Sequence, residues 1–208
     1  MSVIPCIKYI GQTPLDVVEA LRETNKWDKK DVKLSYAGRL DPMAHGLMIV
    51  LKDEECANQH KWHNMNKTYE FKLLIGLSTD TYDILGLQKN KAESSHSNLV
   101  EIVREIRNHP KSFFQEYPPY SSVRVNGKPL WKHAREGTLD DIEMPGKYVK
   151  IKNLGIKKIQ GISKQNLIIL THGNIDKLNK KYNFRQDKIK EEWLQIPDQE
   201  YFVITIQA

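Results

Sequence analysis

Asp41 is the acid whose setting most suits covalent chemistry. It stands in Ser35-Tyr36-Ala37-Gly38-Arg39-Leu40-Asp41-Pro42-Met43-Ala44-His45-Gly46, a loop that leads into the apolar run Leu47-Met48-Ile49-Val50-Leu51. Gly38 and Gly46 admit backbone conformations or close approaches that a Cβ would block. Pro42 stiffens the residue after the acid and biases Asp41 itself toward an extended conformation. A carboxylate is ionised at neutral pH and can form and release a covalent adduct. On a rigid loop beside a buried strand, its oxygens have a fixed direction. The plainer reading of the same residues is a turn aspartate ahead of a core strand. Tyr69 is the second residue with chemical potential, carried by the alternating stretch Lys67 to Leu77. Asp80 and Asp83 lie among Ser78, Thr79 and Thr81, typical turn chemistry in which side chains bond nearby backbone N–H groups. His60 and His63 are spaced i, i+3 but no third ligand is indicated, and the spacing of a Ca²⁺ loop is absent.

The elements that must position these residues follow from periodicity and punctuation. Ile4 to Tyr9 reads as an edge strand. Thr13 caps a helix that Pro14 opens and whose dipole Asp16 complements, with Leu15, Val18 and Leu21 on its apolar face. The run Leu47–Leu51 reads as a strand buried on both faces. Tyr69, Phe71, Leu73 and Ile75 share one strand face, opposite Glu70 and Lys72. Ser97 is expected to cap a helix whose Leu99, Ile102, Val103 and Ile106 form one stripe. Asn126-Gly127 predicts a tight turn, and Pro129 opens a short helix that Gly137 stops. Tyr148 to Ile151, Gly155 to Gln160, Leu167 to Leu170 and Tyr201 to Ile206 read as strands. Residues 171–199 are polar, mixed in charge and weakly periodic, and are expected to be an insertion with a helix near Ile189 and Trp193.

Composition narrows the class. The chain has 208 residues, 28% of them charged and 39% hydrophobic, which is globular rather than disordered. No apolar run approaches the ~20 residues of a membrane span. Cys6 and Cys56 have no CxxC or Cys/His zinc spacing and read as reduced thiols of an intracellular, most simply cytoplasmic, protein. A net charge of +6 favours a polyanionic partner.

Four ordered motifs then resemble the TruB family of tRNA pseudouridine synthases. Gly38-Arg39-Leu40-Asp41-Pro42-Met43-Ala44-His45-Gly46-Leu47 is similar to the family's G-x-LDP-x-A-x-G-(V/L). Lys67-Thr68-Tyr69 is similar to K-x-Y. Leu74 to Gly86 is similar to LG-x-x-TDT-x-D-x-x-G. Pro118-Pro119-Tyr120-Ser121-Ser122-Val123-Arg124-Val125-Asn126-Gly127-Lys128-Pro129-Leu130 with Ala134-Arg135-Glu136-Gly137 is similar to PP-x-YSA-x-K-x-x-GK-x-L…AREG. The resemblance spans residues 4–160. It implies an α+β pseudouridine synthase fold, with a mixed, largely antiparallel central sheet flanked by helices and loops. One catalytic domain would occupy residues 1–208.

The implied reaction is isomerisation of uridine to pseudouridine at position 55 of the tRNA T-arm loop, by base flipping, without cofactor or metal, and by a monomer. The resemblance assigns the nucleophile to Asp41 and places Tyr69 under the target base, as the candidate that takes a proton from the sugar. RNA contacts would fall to Tyr36, Gly38, Arg39, Leu40, Lys67, Tyr120 and Arg124, with Lys128 and Arg135 as further phosphate partners. The alternative from another class is a non-catalytic RNA-binding or tRNA-folding protein that keeps the pocket.

The chain also departs from the pattern. Tyr36 stands where the family has His, and Arg124 where it has Lys. Lys8-Tyr9-Ile10-Gly11-Gln12-Thr13 is a degraded form of its K-P-x-G-x-(S/T). The family's G-T-Y-I-R motif, whose Arg pairs with the catalytic Asp, would follow a strand like Tyr201–Ala208, where the sequence stops, and no PUA-like domain follows. The expectation is therefore a C-terminally incomplete domain whose 208 residues are poorly active alone.

Overall fold

A computed structural model describes residues 2–208. The chain divides into two compact units, one formed by Met1–Lys67 with Leu170–Gln186 and the other by Thr68–Ile169 with Asp187–Ala208.

The first unit begins with β1 (Val3–Lys8), α1 (Pro14–Asn25), β2 (Leu34–Ala37) and β3 (Gly46–Lys52), then a 3-10 turn and α2 (Gln59–His63). β3 is the central strand of an antiparallel sheet, with β1 on one side and β2 on the other. Met48 and Val50 project from β3 onto Val17 and Val18 of α1, and Ile4, Cys6, Leu21, Leu34 and Tyr36 close around them. Burying four such side chains stabilises the unit by about 1.5–3 kcal/mol each. Two expectations need correction. Leu15 is exposed and Val17 takes its place in the core. β3 is also not buried on both faces throughout, because Leu47 is 65% exposed at its start while Val50 and Leu51 are sealed.

The second unit holds β4 (Glu70–Leu74), β5 (Leu77–Thr79), β6 (Gln88–Lys91), α3 (His96–Asn108), β7 (Ser112–Glu116), β8 (Arg124–Val125), β9 (Lys128–Pro129), α4 (Leu130–Glu136), β10 (Gly146–Lys150) and β11 (Gly155–Ser163). It continues through α5 (Lys164–Ile175) and α6 (Gln186–Leu194), which run across the division between units, and ends on β12 (Glu200–Gln207). Its main sheet is antiparallel in the order β11-β12-β4, and three two-stranded ribbons join β5 to β6, β7 to β10 and β8 to β9. Ile75, Ile204 and Ile206 form its core against Leu99, Ile102, Val103 and Ile106, the α3 stripe expected from their spacing. The α3 cap is Ser95 rather than Ser97: the Asn98 N–H donates to the Ser95 hydroxyl, while Ser97 is bonded to Ser95.

Residues 167–170 belong to α5, not to a strand. Leu167, Thr171 and Ile175 recur every fourth residue and are all buried, the signature of one helix face. The helix expected near Ile189 and Trp193 is α6, and both side chains are buried. No helix among the described residues is long and apolar enough to cross a membrane.

Candidate active site

The loop bearing Asp41 joins the neighbouring antiparallel strands β2 and β3, so both of its ends are fixed by ladder hydrogen bonds. Within it, the Ala44 N–H donates to the Asp41 carbonyl at 2.9 Å, closing a turn around Pro42. Two groups, one at the end of β1 and one in the connection to α1, hold it from outside. The Gly11 N–H donates to the Pro42 carbonyl at 2.8 Å. The Lys8 ammonium donates to the Ala44 carbonyl at 2.7 Å and to the Tyr9 carbonyl at 3.1 Å. The backbone that follows Asp41 is thereby tied down at Pro42 and Ala44, while Asp41 itself is exposed.

Lys8 ends β1 opposite Gly46, with none of its surface exposed. Burial pushes its ammonium below the usual lysine range, and the charges of Asp41 and Asp16 act in the opposite direction. Asp16 is partly buried, which by itself raises a carboxyl. Hydrogen bonds from Lys181, from the Thr13 backbone and hydroxyl and from Tyr182 outweigh this and hold it at about 2. Asp16 completes a capping box with Thr13 at the start of α1. Lys181 and the Tyr182 hydroxyl each approach Asp16 at 2.9 Å, so residues 177–182 brace the same corner. Gly11 lies so close to Lys177 that an added Cβ would meet the Lys177 carbonyl oxygen at 2.2 Å.

Of the other residues singled out in this unit, Tyr36 packs half-buried on the core and its carbonyl accepts from the Gln59 side chain at 2.6 Å. Arg39 is exposed and Leu40 half-buried near Gly46. Gly38 has φ 92°, and the side chain of Lys67 lies 4.0 Å from where its Cβ would be. The Lys67 ammonium donates to the His63 and Met65 carbonyls, which secures the exit from α2.

Tyr69, Tyr120 and Arg124 lie in the second unit. Tyr69 exchanges both backbone hydrogen bonds with Ala208, extending the β4–β12 ladder by a residue, and its side chain is 49% exposed. Phe71 and Leu73 on the same face are also partly exposed, so only Ile75 of that row is core. Tyr120 is half-buried within the turn that the Ser121 N–H closes by donating to the Pro118 carbonyl. Asn126 and Gly127 both have positive φ, as the expected hairpin turn requires, and the Arg124 guanidinium donates to the Gly127 carbonyl. Lys128 is paired with Glu136, and Arg135 stacks over the Trp131 ring. These cations thus already help to hold the 124–137 hairpin and helix together.

Lys8 and Asp16 had no chemical role in the sequence reading. Their signal was only positional: Lys8 opens the degraded N-terminal motif and Asp16 stands at a helix start.

The comparisons with known proteins bear on this same stretch. The model of the TruB family pseudouridylate synthase N-terminal domain matches residues 25–173. The chain belongs to the TruB family. The chain is similar to tRNA pseudouridine synthase B of Staphylococcus aureus, 35% identical over 157 residues, which are 74% of this chain and 49% of that protein. It is similar to tRNA pseudouridine synthase B of Thermotoga maritima, 33% identical over 164 residues, 77% of this chain and 50% of that protein. A chain of a solved Cbf5-Nop10-Gar1 complex aligns over 100% of this chain and 40% of its own length, with 12% identity and a TM-score of 0.45. The chain spans about half the length of the curated TruB relatives it matches. The family match covers the Asp41 loop, Tyr69 and the 118–137 segment, and its α+β pseudouridine synthase fold is the class expected from the motifs.

Proposed function

We propose that this chain isomerises uridine to pseudouridine in tRNA, at position 55 of the T-arm loop, with Asp41 as the nucleophile. The observation that carries the reading is the Asp41 loop: an exposed carboxylate on a turn whose Pro42 and Ala44 carbonyls are held by the Gly11 N–H and the buried Lys8 ammonium. The names of the matched relatives support tRNA as the RNA class.

The reaction exchanges one bond for another. The C1′–N1 glycosidic bond breaks, the base turns, and C5 bonds to C1′. The proton on C5 is lost and N1 gains one, so the product is an isomer of the substrate and no net oxidation occurs. Asp41 forms the covalent adduct that holds the fragments between cleavage and rejoining. Tyr69 lies against the target base and takes a proton from the sugar carbon beside C1′ as the base departs; that proton returns to the same carbon when C5 bonds to C1′, so the ribose is unchanged. A uridine in a folded loop must leave its stack to be reached, at a cost of about a few kcal/mol, which aromatic contact and charge on the protein offset. Tyr36, Gly38, Arg39, Leu40, Lys67, Tyr120 and Arg124 contact the RNA around it.

Loss of the C5 proton supplies the test. A T-arm stem-loop labelled with tritium at C5 of uridine is incubated with excess chain, and the same RNA with cytidine at position 55 is the control. Tritium release from the first RNA alone is the expected result. Tight binding with no release from either would favour the RNA-binding alternative.

A further inference from the structure

The turn between β5 and β6 is braced beyond what a connection between two short strands needs. The Leu87 N–H donates to the Asp80 carboxylate at 2.8 Å and the Leu85 N–H to the Asp83 carboxylate at 2.9 Å. The Thr81 hydroxyl donates to the same Asp83 carboxylate at 2.7 Å, and the Thr79 hydroxyl to the Asp83 carbonyl at 2.7 Å. The Asp80 N–H donates to the Leu87 carbonyl at 3.0 Å. Gly86 packs so tightly on Thr79 that a Cβ would come within 2.4 Å of it. Every polar side chain of this turn is directed into it.

Tyr82 is the exception. It alone among residues 79–87 is exposed, at 70%, and its backbone is left-handed with φ 62°. A bulky residue in that region is an outlier, and Gly or Asn would occupy the position without strain. The turn therefore carries a largely exposed aromatic ring on a residue in the left-handed region. Tyr148 is more exposed, at 80%, but its ring meets Phe114 at 5.4 Å and its strand backbone is unstrained. Strain that surrounding structure enforces is a mark of a functional position.

We infer that Tyr82 is a base-stacking residue, whose ring receives the face of an unpaired base of the RNA substrate other than the reacting uridine. The inference rests on the RNA-modifying reading above. An aromatic held on a rigid turn gives up little freedom on stacking, and an unstacked base offers a face of matching size and polarity. The chain's charge of +6 favours the accompanying phosphates.

The test compares the 208-residue wild type with Y82F, Y82A and Y82G for affinity to a fluorescent T-arm stem-loop, alongside thermal melting. Y82A and Y82G are expected to bind about 5- to 150-fold more weakly, the range for one lost base stack. Y82F, which keeps the ring, restores affinity to within about twofold of wild type. Y82G is expected to melt no lower than wild type because it relieves the left-handed strain, so its loss of affinity belongs to the ring and not to unfolding. Wild-type affinity in both Y82A and Y82G overturns the stacking role and leaves the proposed function standing. A wild type that binds the stem-loop no better than a scrambled RNA of the same length overturns both.

Discussion

At the scale of single residues, Lys8 is the side chain whose position asks most of the fold. Removing an ammonium from water costs several kcal/mol unless charge and hydrogen bonds replace the solvent. Here two carbonyls accept from it, and Asp41 and Asp16 supply the opposing charge. One of those carbonyls is three residues beyond Asp41, so the ammonium acts on the geometry of the loop. Lys8→Met keeps the length of the side chain but leaves the Ala44 carbonyl without its donor. It should cost about 1–3 kcal/mol in a denaturant titration and slow single-turnover product formation about tenfold or more, since a small misplacement of a reacting group costs up to about 100-fold. Unchanged stability and unchanged rate would remove Lys8 from the account. The role was not legible in the sequence, because Lys8 ends an apolar strand where a lysine normally turns to solvent, and its acceptor lies 36 residues away. The loop that carries Asp41, between two strands, was legible, because loop glycines, a proline and an apolar strand are local signals.

At the scale of elements, the α1 start is a small assembly in its own right. Thr13 and Asp16 cap each other's backbone, and Lys181 and Tyr182 bond to Asp16 from far along the chain. The Asp16 carboxyl falls from 3.8 to about 2, so the folded state binds its proton more weakly than the unfolded state does. Its contribution is therefore complete well above pH 3.8 and is lost as pH falls through about 2. Asp16→Asn should destabilise the protein by about 1–2 kcal/mol at pH 7, the range for a cap, and the gap from wild type should close between about pH 4 and pH 2. A gap independent of pH would show that charge plays no part. Gly11→Ala tests the other side of this corner. With φ 91° and the Lys177 carbonyl oxygen in the way, it should cost at least about 2 kcal/mol. A substitution that leaves the melting temperature unchanged would contradict the close packing.

Elements were legible where their signals were local. The Thr13 cap, the α3 stripe, the Asn126-Gly127 turn and the Gly137 stop all stand where spacing put them. Residues 167–170 misled because four consecutive apolar residues fit a strand or a buried helix equally well. Only the burial of Thr171 and Ile175 chooses the helix. The row Tyr69, Phe71, Leu73 and Ile75 was correctly put on one face, yet alternation does not say how much of a face is covered.

At the scale of the whole molecule, a charge of +6 on a 208-residue chain acts on binding rather than on fold. If about five phosphates are neutralised, RNA affinity should fall about 100-fold between 50 and 200 mM salt, by the slope for single strands. A salt-independent affinity would contradict a phosphate-contacting surface. The four motifs made the family legible because each is a compact block, and all of them fall in the span that the family match covers. The division into two units was not legible, since it depends on residues 170–186 joining the N-terminal elements rather than their own sequence neighbours. The central claim is that Asp41 forms the bond to the RNA. Single-turnover conversion of a T-arm stem-loop, followed by mass spectrometry of the digested product, measures it directly. Pseudouridine is expected from the wild type, with a loss of about 10⁴-fold or more in D41A and D41N. Conversion by D41A at the wild-type rate would contradict the claim.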